Sequence, residues 1–264
     1  MTDQYIRQSF LGSDAGNTFA NCVVAIVGLG GGGSHIAQQL AHIGFLNIQL
    51  YDGDAAELSN LNRLIGASLD DVQKGTKKVD IARRMMLAVN PQMGIETFPC
   101  NWQLAAHSIR EADVIVSCVD SYAARQDIEA TARRFLIPLL DIGMDVHLVD
   151  EKPHISGQVI LSLPGGPCMK CLGFLNDNNL QQEAEKYGAA GGRPQVVWAN
   201  GVLASTAVGL LVDLLTAWSG LPPEGEYLHF DGNTHLLSRS PRIEFAPANC
   251  LHFPADSVGE PVFH

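Results

Sequence analysis

The sequence predicts an α/β fold, in which helices cover both faces of a doubly wound, mostly parallel sheet and the C-terminal part adds an antiparallel extension. Two observations predict this fold. Short apolar runs of strand length alternate with longer segments of helical period. A glycine-rich turn joins the first strand-like run directly to the first helical segment, as is typical of a Rossmann-like fold.

Composition limits the classes of partner. With 264 residues, 46% of them hydrophobic, the chain is long enough to bury a substantial core. Its 17 basic and 28 acidic residues give a net charge of −11, which argues against DNA and against an anionic membrane as the main partner. A local basic cluster can still hold a nucleotide within an acidic protein.

The chain opens without the basic and apolar segments of a signal peptide, so we expect a cytoplasmic protein. In that compartment the six cysteines serve the core, a metal site or catalysis more readily than disulfides. We interpret residues 1–264 as a single domain, with an N-terminal arm (1–21), a nucleotide-binding core (22–165) and a C-terminal region (166–264).

The glycine-rich turn follows the apolar run Val23–Val27, which predicts a buried strand. Gly28, Gly30 and Gly33 have the spacing G-x-G-x-x-G, and a helical segment with Ile36 on its apolar face comes next. Glycines allow a tight turn and a close approach of ligand to backbone, and the helix N-terminus offers N–H groups to a phosphate. A tight strand-to-helix turn without a ligand is the alternative.

A second strand, Asn47–Tyr51, ends at Asp52, about 20 residues after Gly33, where an acid accepts hydrogen bonds from ribose hydroxyls in this kind of fold. Asp52 would otherwise cap a turn or a helix. Both interpretations place its carboxylate at the C-terminal end of a strand.

Two basic segments follow, Ser59–Arg63 and Lys74–Lys78. Arg forks onto two phosphate oxygens and Lys acts as a compact point charge, so together they suit a triphosphate. The alternative is a helix that turns its charges to water. Lys78 falls in the first turn of a predicted helix, 79–89, where the helix dipole disfavours a cation and a bound anion would offset the cost.

Asp120 follows the predicted strand 112–119 and precedes a predicted helix over 123–135. At the C-terminal end of a parallel strand it could hold Mg²⁺, or it could cap the helix behind it. Further predicted strands are Ile95–Phe98, Pro138–Ile142 and Gln158–Leu163, with Tyr227–Phe230 and Arg242–Phe245 in the tail.

Cys168 and Cys171 form a C-x-x-C pair in a loop after a strand, a context that favours zinc over dithiol chemistry. A tetrahedral site needs two more ligands, and Cys250 and His252 are the candidates in the tail. An empty, reduced pair is the alternative.

Two long segments complete the C-terminal region. Asn176–Gln195 is polar, lacks cysteine and predicts a mobile loop near the nucleotide. Trp198–Trp218 is apolar and long enough for a membrane span. Asn200 and Asp213 within it favour a buried helix at a subunit interface, so no membrane association is expected.

Together these residues resemble the ThiF/MoeB/HesA family of ATP-dependent adenylating enzymes, bacterial relatives of ubiquitin-activating enzymes. The resemblance covers roughly Tyr5 to Cys250 and depends on the order of seven motifs. They are Tyr5-x-Arg7-Gln8, Gly28-x-Gly30-Gly31-x-Gly33, Asp52-x-Asp54, Ser59-Asn60-Leu61-x-Arg63, Gly75-x-x-Lys78-Val79, Asp120-x-x-x-x-Arg125 and Pro167-Cys168-x-x-Cys171-Leu172.

At the matching positions, the resemblance implies ATP contacts for Gly28, Gly30, Gly31, Gly33, Asp52, Asn60, Arg63 and Lys78. Asp52 would bind the ribose, and Asn60, Arg63 and Lys78 the phosphates. Asp120 would hold Mg²⁺, and Arg7 would reach the triphosphate from the partner subunit of a homodimer. The implied catalytic set is therefore Arg7, Arg63, Lys78 and Asp120.

The implied reaction is attack on the α-phosphate of ATP by the carboxylate of a ubiquitin-like or sulfur-carrier protein ending in Gly-Gly. The products are an acyl-adenylate and pyrophosphate. Many relatives carry a cysteine in the crossover loop, and its absence from Asn176–Gln195 predicts an enzyme without its own covalent step. The family's second zinc pair is reduced to Cys250 and His252, which leaves zinc as an open expectation.

Three other functions stay open from the sequence. The same activation could act on a small-molecule or tRNA carboxylate, although the acidic charge disfavours RNA. The glycine turn and Asp52 alone would also suit an NAD-dependent oxidoreductase, which leaves Arg63 and Lys78 unexplained. A nucleotide-bound scaffold without catalysis is the third.

Overall fold

The computed structural model describes residues 3–178, 180, 194–248 and 250–253. Its strands are β1 (Val23–Val27), β2 (Asn47–Tyr51), β3 (Gly94–Phe98), β4 (Val114–Ser117), β5 (Leu139–Val149), β6 (Lys152–Ser162), β7 (Glu226–Asp231) and β8 (Leu236–Arg239). They form one sheet in the order β3-β2-β1-β4-β5-β6-β7-β8.

The strands from β3 across to β5 are parallel, and β6, β7 and β8 continue the sheet antiparallel. The predicted fold class is therefore confirmed. The chain runs outward from β1 to β3 and then crosses back to β4 on the other side of β1. In such sheets the crevice at this change of direction, above the C-terminal ends of the strands, is where ligands bind.

The helices are α1 (Ala15–Asn21), α2 (Gly31–Ile43), α3 (Leu69–Lys74), α4 (Lys78–Val89), α5 (Ala106–Ile109), α6 (Tyr122–Arg134) and α7 (Val197–Thr216). Short 3-10 segments cover Asp3–Leu11, Leu58–Asn60, Trp102–Ala105 and Pro241–Ile243.

Both faces of the sheet are covered, as the alternation along β1 shows. Val24 and Ile26 pack with α1, α2, α4 and α7 on one face. Ala25 and Val27 pack with α5, α6 and the cysteine loop on the other. A strand buried on both faces reads as a continuous apolar run, which is why β1 could be recognised from the sequence.

Helix α7 is long and apolar enough to cross a membrane, with a mean hydropathy of 1.5 and 44% of its apolar window buried inside the protein. A core helix meets the same criterion, and one side of α7 packs on α2, β5 and β6. The other side is open in the single chain, where Trp198 is 55% exposed. The predicted helix is present, but its burial is one-sided.

The hairpin of β5 and β6 is longer than predicted. The apolar runs indicated Pro138–Ile142 and Gln158–Leu163, whereas the two strands pair residue by residue out to Val149 and Lys152. Polar residues such as Asp145 and His147 interrupt the apolar pattern in the outer half, so the pattern stops while the pairing continues.

The predicted tail strand Arg242–Phe245 is wrong. Pro241–Ile243 is a 3-10 turn, which Ser240 caps by accepting the backbone N–H of Arg242. The missed strand is β8, a short edge strand exposed on all four residues. Most of Asn176–Gln195 lies outside the described residues, so the mobility predicted for this loop stays a prediction.

Asp71 joins α3 to α4. It is 2% exposed, closes a capping box with Ser68, and accepts bonds of 2.7 and 2.8 Å from the guanidinium of Arg84. Those hydrogen bonds from Arg84 hold the pKa of Asp71 below its ordinary value. The ionised form is therefore the form that stabilises the fold.

We expect Asp71→Asn to lower the free energy of unfolding by about 1–3 kcal/mol at pH 7, because a buried charged hydrogen-bond acceptor is lost. Because the carboxyl pKa is lower in the folded protein than in the unfolded chain, the ionised Asp71 stabilises the fold above the unfolded pKa near 4. The difference in unfolding free energy between Asp71→Asn and the wild type should therefore narrow as the pH falls below about 4. Urea unfolding at several pH values measures this difference in unfolding free energy. Asp70→Asn, which alters only an exposed pair with Lys74, should leave the stability close to the wild-type value. A gap that stays constant into acid would contradict the role of the charge.

Candidate functional site

A cavity of about 620 Å³ opens above the C-terminal ends of the parallel strands. Seven of the predicted site residues line it: Gly28, Gly30, Gly31, Asp52, Arg63, Lys78 and Asp120. The long hairpin contributes a further wall through Met144–His147 and Gln158. The cavity thus lies at the crevice that the strand order creates.

Each glycine of the turn meets a different constraint. A Cβ on Gly28 (φ +88°) would lie 2.8 Å from the carbonyl oxygen of Cys118, and one on Gly33 would overlap the carbonyl oxygen of Gly28. A Cβ on Gly30 would meet nothing within 4 Å. Packing therefore requires glycine at 28 and 33, whereas Gly30 leaves backbone open to the cavity at the start of α2.

Asp52 ties the end of β2 to the glycine turn. Its Oδ2 accepts the backbone N–H of Leu29 at 2.7 Å and its Oδ1 accepts that of Asp54 at 2.8 Å. Burial raises the pKa of Asp52, and the nearby ammonium of Lys78 with the two N–H groups opposes that shift. A carboxylate has further lone pairs, so Asp52 can still accept a ligand hydroxyl.

Two cations reach the cavity from separate segments. Lys78, in the first turn of α4, places Nζ 2.7 Å from Oδ2 of Asp54 and 3.9 Å from Oδ1 of Asp52. Arg63 follows the Leu58–Asn60 turn and donates from Nη1 to the carbonyl oxygen of Ser59 at 2.7 Å. The structure therefore brings both predicted phosphate-binding cations to the cavity that holds the glycine turn.

The other predicted residues lie differently. Asn60 is buried outside the cavity lining, and its Oδ1 accepts the N–H of Glu57 and so caps a 3-10 turn. Arg7 is exposed on the Asp3–Leu11 segment and does not line the cavity of its own chain, so its action on a second subunit stays a prediction. Asp120 lines the cavity just beyond β4.

Asp141 was missed as a site residue. It is fully buried in β5, accepts from Nε of Arg125 at 3.1 and 3.2 Å, and accepts from Ser117 Oγ at 2.8 Å. Arg125 and Gln158 both line the cavity. The available signal was one acid inside the apolar run Pro138–Ile142, since an acid in a buried strand needs a partner.

The four predicted zinc ligands converge. Cys171 Sγ lies 3.6 Å from the sulfurs of Cys168 and Cys250, and His252 Nδ1 lies 3.4 Å from the sulfurs of Cys168 and Cys171. Zn–S bonds of about 2.3 Å and Zn–N bonds of about 2.0 Å require tetrahedral edges of about 3.8 and 3.5 Å. The geometry and the soft donor set therefore fit zinc.

Helix α6 anchors the cysteine loop. Glu129 accepts the backbone N–H of Met169 at 3.0 Å and the hydroxyl of Ser162 at 2.6 Å. Arg133 donates to the carbonyl oxygens of Gly166 and Pro167, both at 2.8 Å. The first half of the ligand cluster is thus fixed by buried polar contacts, while His252 is exposed.

Comparison with known proteins matches the profile of the ThiF family to residues 2–252. The chain is 31% identical over 215 residues to a molybdopterin-synthase adenylyltransferase of Escherichia coli (strain K12), covering 80% of this chain and 79% of that protein. It is 29% identical over 167 residues to ubiquitin-like modifier-activating enzyme 5 of Arabidopsis thaliana, covering 56% of this chain and 37% of the relative, little more than a third of its length.

Among solved structures, E. coli MccB with ATP superimposes with a TM-score of 0.75 at 20% identity, covering 91% of this chain and 71% of that one. At this identity the likeness concerns the fold.

The different constraints on the glycines predict different outcomes for Gly30→Ala and Gly33→Ala. Gly33→Ala should destabilise the protein by about 1–3 kcal/mol or more, since its methyl group has no room. Gly30→Ala should fold normally but weaken nucleotide binding at least about tenfold, or about 1.4 kcal/mol, because its methyl group enters the cavity.

Thermal melts and ATP titration separate the two effects. Gly209→Ala, on the exposed side of α7 with open space around it, is the control and should leave binding unchanged. Equal ATP affinity in Gly30→Ala and wild type would show that the ligand does not approach this backbone.

Proposed function

This chain belongs to the ThiF family, and from that premise we propose that it uses ATP to adenylate the C-terminal Gly-Gly carboxylate of a ubiquitin-like or sulfur-carrier protein. The adenylyltransferase class follows from the family and from the E. coli relative of similar extent. The class of carboxylate is the further step, and names of the relatives such as ubiquitin-like modifier-activating enzyme support it.

One observation carries the proposal: Arg63 and Lys78 enter, from different segments, the cavity in which Gly30 leaves backbone open. Adenylyl transfer needs charge neutralisation and positioning more than a protein nucleophile. A substrate carboxylate is already ionised at neutral pH, so no general base is required. A hydride-transfer site would leave both cations without a task, so the oxidoreductase alternative has less support.

The remaining roles follow from position. The N-terminus of α2 faces the phosphates, and Asp52 receives a ribose hydroxyl. Asp120 supplies a carboxylate oxygen at the cavity, the ligand type that Mg²⁺ prefers. When bound, Mg²⁺ would neutralise charge on the phosphates. Because Asn176–Gln195 contains no cysteine, the enzyme hands on its acyl-adenylate without a covalent step of its own.

A second copy of the chain is part of the proposal, because Arg7 lies outside the cavity of its own chain. The exposed apolar residues near Arg7, Ile6 and Phe10, suit a contact between subunits. The six cysteines, all of them among the described residues, form no disulfide, which is compatible with the cytoplasm as the proposed compartment.

We expect Arg63→Ala and Lys78→Ala each to slow ATP–pyrophosphate exchange at least about 100-fold, the usual cost of one lost electrostatic stabiliser. The assay contains candidate carrier proteins ending in Gly-Gly and labelled pyrophosphate. Lys74→Ala, which removes an exposed amine paired with Asp70 outside the cavity lining, should keep the wild-type rate. Near-normal exchange in Lys78→Ala would exclude its proposed role. Exchange that responds to tRNA or a metabolite but to no carrier would select that alternative, and ATP binding without any exchange would select the scaffold.

The zinc proposal has its own test. We expect purified wild-type protein to hold about one zinc ion per chain and Cys171→Ser to lose it, because Cys171 contacts the other three donors. Elemental analysis measures the content, and a chelator should lower the melting temperature of the wild type only. His252→Ala should weaken zinc retention, whereas His235→Ala, in the exposed turn before β8, should not. Metal-free protein with an unchanged melting temperature would favour the empty, reduced cluster.

A further inference from the structure

Arg125, which lines the cavity, forms an ion pair that the roles above do not use. Arg125 of α6 places Nε 3.1 Å from Oδ2 of Asp141 in β5, and the two side chains are 6% and 0% exposed. Taking two charges out of water is costly, and a well-packed apolar pair often serves stability as well. A buried pair beside a ligand cavity therefore calls for a functional explanation.

The surroundings hold the guanidinium in one orientation. Asp141 also accepts from Ser117 Oγ and, at 3.4 Å, from Gln158 Nε2. Nη2 of Arg125 donates to the carbonyl oxygen of Val119 at 2.7 Å. The rings of Tyr122 and Phe174 each lie 5.8 Å from the guanidinium carbon.

One nitrogen of Arg125 remains for a ligand. Nε and Nη2 are bonded as above, and within the described residues no hydrogen bond is recorded for Nη1. Arg125 itself lines the cavity. A guanidinium carries five N–H donors, so the third nitrogen can still donate to an anion.

The strand order separates this donor from the phosphate-binding cations. Lys78 is anchored at Asp52 beside β2, and Arg125 at Asp141 in β5, which is three strand spacings away. At about 4.8 Å per spacing, the anchors lie about 14 Å apart. Arg125 is therefore placed for an anion that enters along the hairpin side, and not for the phosphates beside Lys78.

We propose that Arg125 binds the substrate carboxylate through Nη1 and that Asp141 is the positioning residue that aims it. The inference deepens the proposed function and rests on it. A carboxylate oxygen attacks the α-phosphorus, a new acyl–oxygen–phosphorus bond forms, and the bond to the β-phosphate oxygen breaks. Pyrophosphate leaves with that electron pair, and no proton or oxidant is needed.

The ion pair with Asp141 explains why Arg125 would bind the substrate carboxylate and not ATP. Asp141 balances the charge of Arg125, so the guanidinium offers a directed hydrogen bond with little net attraction for the phosphates that Lys78 binds. Lys in place of Arg would keep the charge but lose the planar fork that lets one side chain bond Asp141 and a carboxylate together. Loss of the fork should therefore affect the carboxylate and leave ATP affinity unchanged.

The test compares Arg125→Lys and Asp141→Asn with wild type, and Arg110→Lys, an exposed arginine away from the cavity, is the control. Thermal melts establish folding, ATP titration gives Kd, and pyrophosphate exchange gives KM for the carrier and kcat. Arg125→Lys should raise the carrier KM at least about tenfold, or about 1.4 kcal/mol, with ATP Kd changed less than about twofold. Asp141→Asn should raise KM in the same direction.

Ser117→Ala gives a milder variant, because it removes one hydrogen bond to Asp141 and leaves Arg125 intact; its carrier KM should rise by a smaller factor. An unchanged carrier KM in folded Arg125→Lys or Ser117→Ala would overturn the inference. ATP binding that weakens by the same factor as the carrier KM rises would also overturn it, because that result would assign Arg125 to the α-phosphate. Failure of the wild type to exchange with any carboxylate would instead overturn the proposed function itself.

Discussion

The buried hydrogen bond from the backbone N–H of Leu29 to the carboxylate of Asp52 is the contact on which the cavity depends. It closes the turn after β1 against the end of β2, and so fixes where α2 begins and which way its first N–H groups face. The same carboxylate meets Lys78, which ties α4 to this corner. Asp52, which the sequence predicted as a ribose ligand or a cap, therefore also holds the phosphate-binding segments in place.

The sequence predicted those features that depend on neighbours along the chain. The strand β1, the glycine turn and the helix after it form a local unit. Lys78 was placed correctly in the first turn of α4, and the end of that helix before Asn90-Pro91 was also predicted correctly. The pair of Cys168 and Cys171 could also be recognised from its spacing along the chain. Cys250 and His252 were named as its partners because they stand where the resemblance to the family places the second zinc pair.

What could not be predicted depends on contacts across the sheet. Asp141 looked like a lone acid in an apolar strand, because its partners come from α6, β4 and β6. The outer half of the β5–β6 hairpin was not predicted for the same reason, because hydrogen-bonded pairing between the two strands continues after the apolar pattern has ended. Edge strand β8 has no buried face, so its sequence shows no alternation of apolar and polar residues that would predict a strand.

Helix α6 shows how far a charge pattern can mislead. Arg125, Glu129 and Arg133 recur every four residues, as on one face of a helix, and a charged stripe normally faces water. Here all three are at most 5% exposed, and each has polar partners on the sheet or the cysteine loop. Arg125 serves the cavity, whereas Glu129 and Arg133 hold the loop that carries Cys168 and Cys171. One helix face thus joins the proposed carboxylate site to the proposed zinc site through separate sets of partners. Such a stripe can be buried only because every charge on it is satisfied, and that condition is set by the folded sheet and not by the helix sequence.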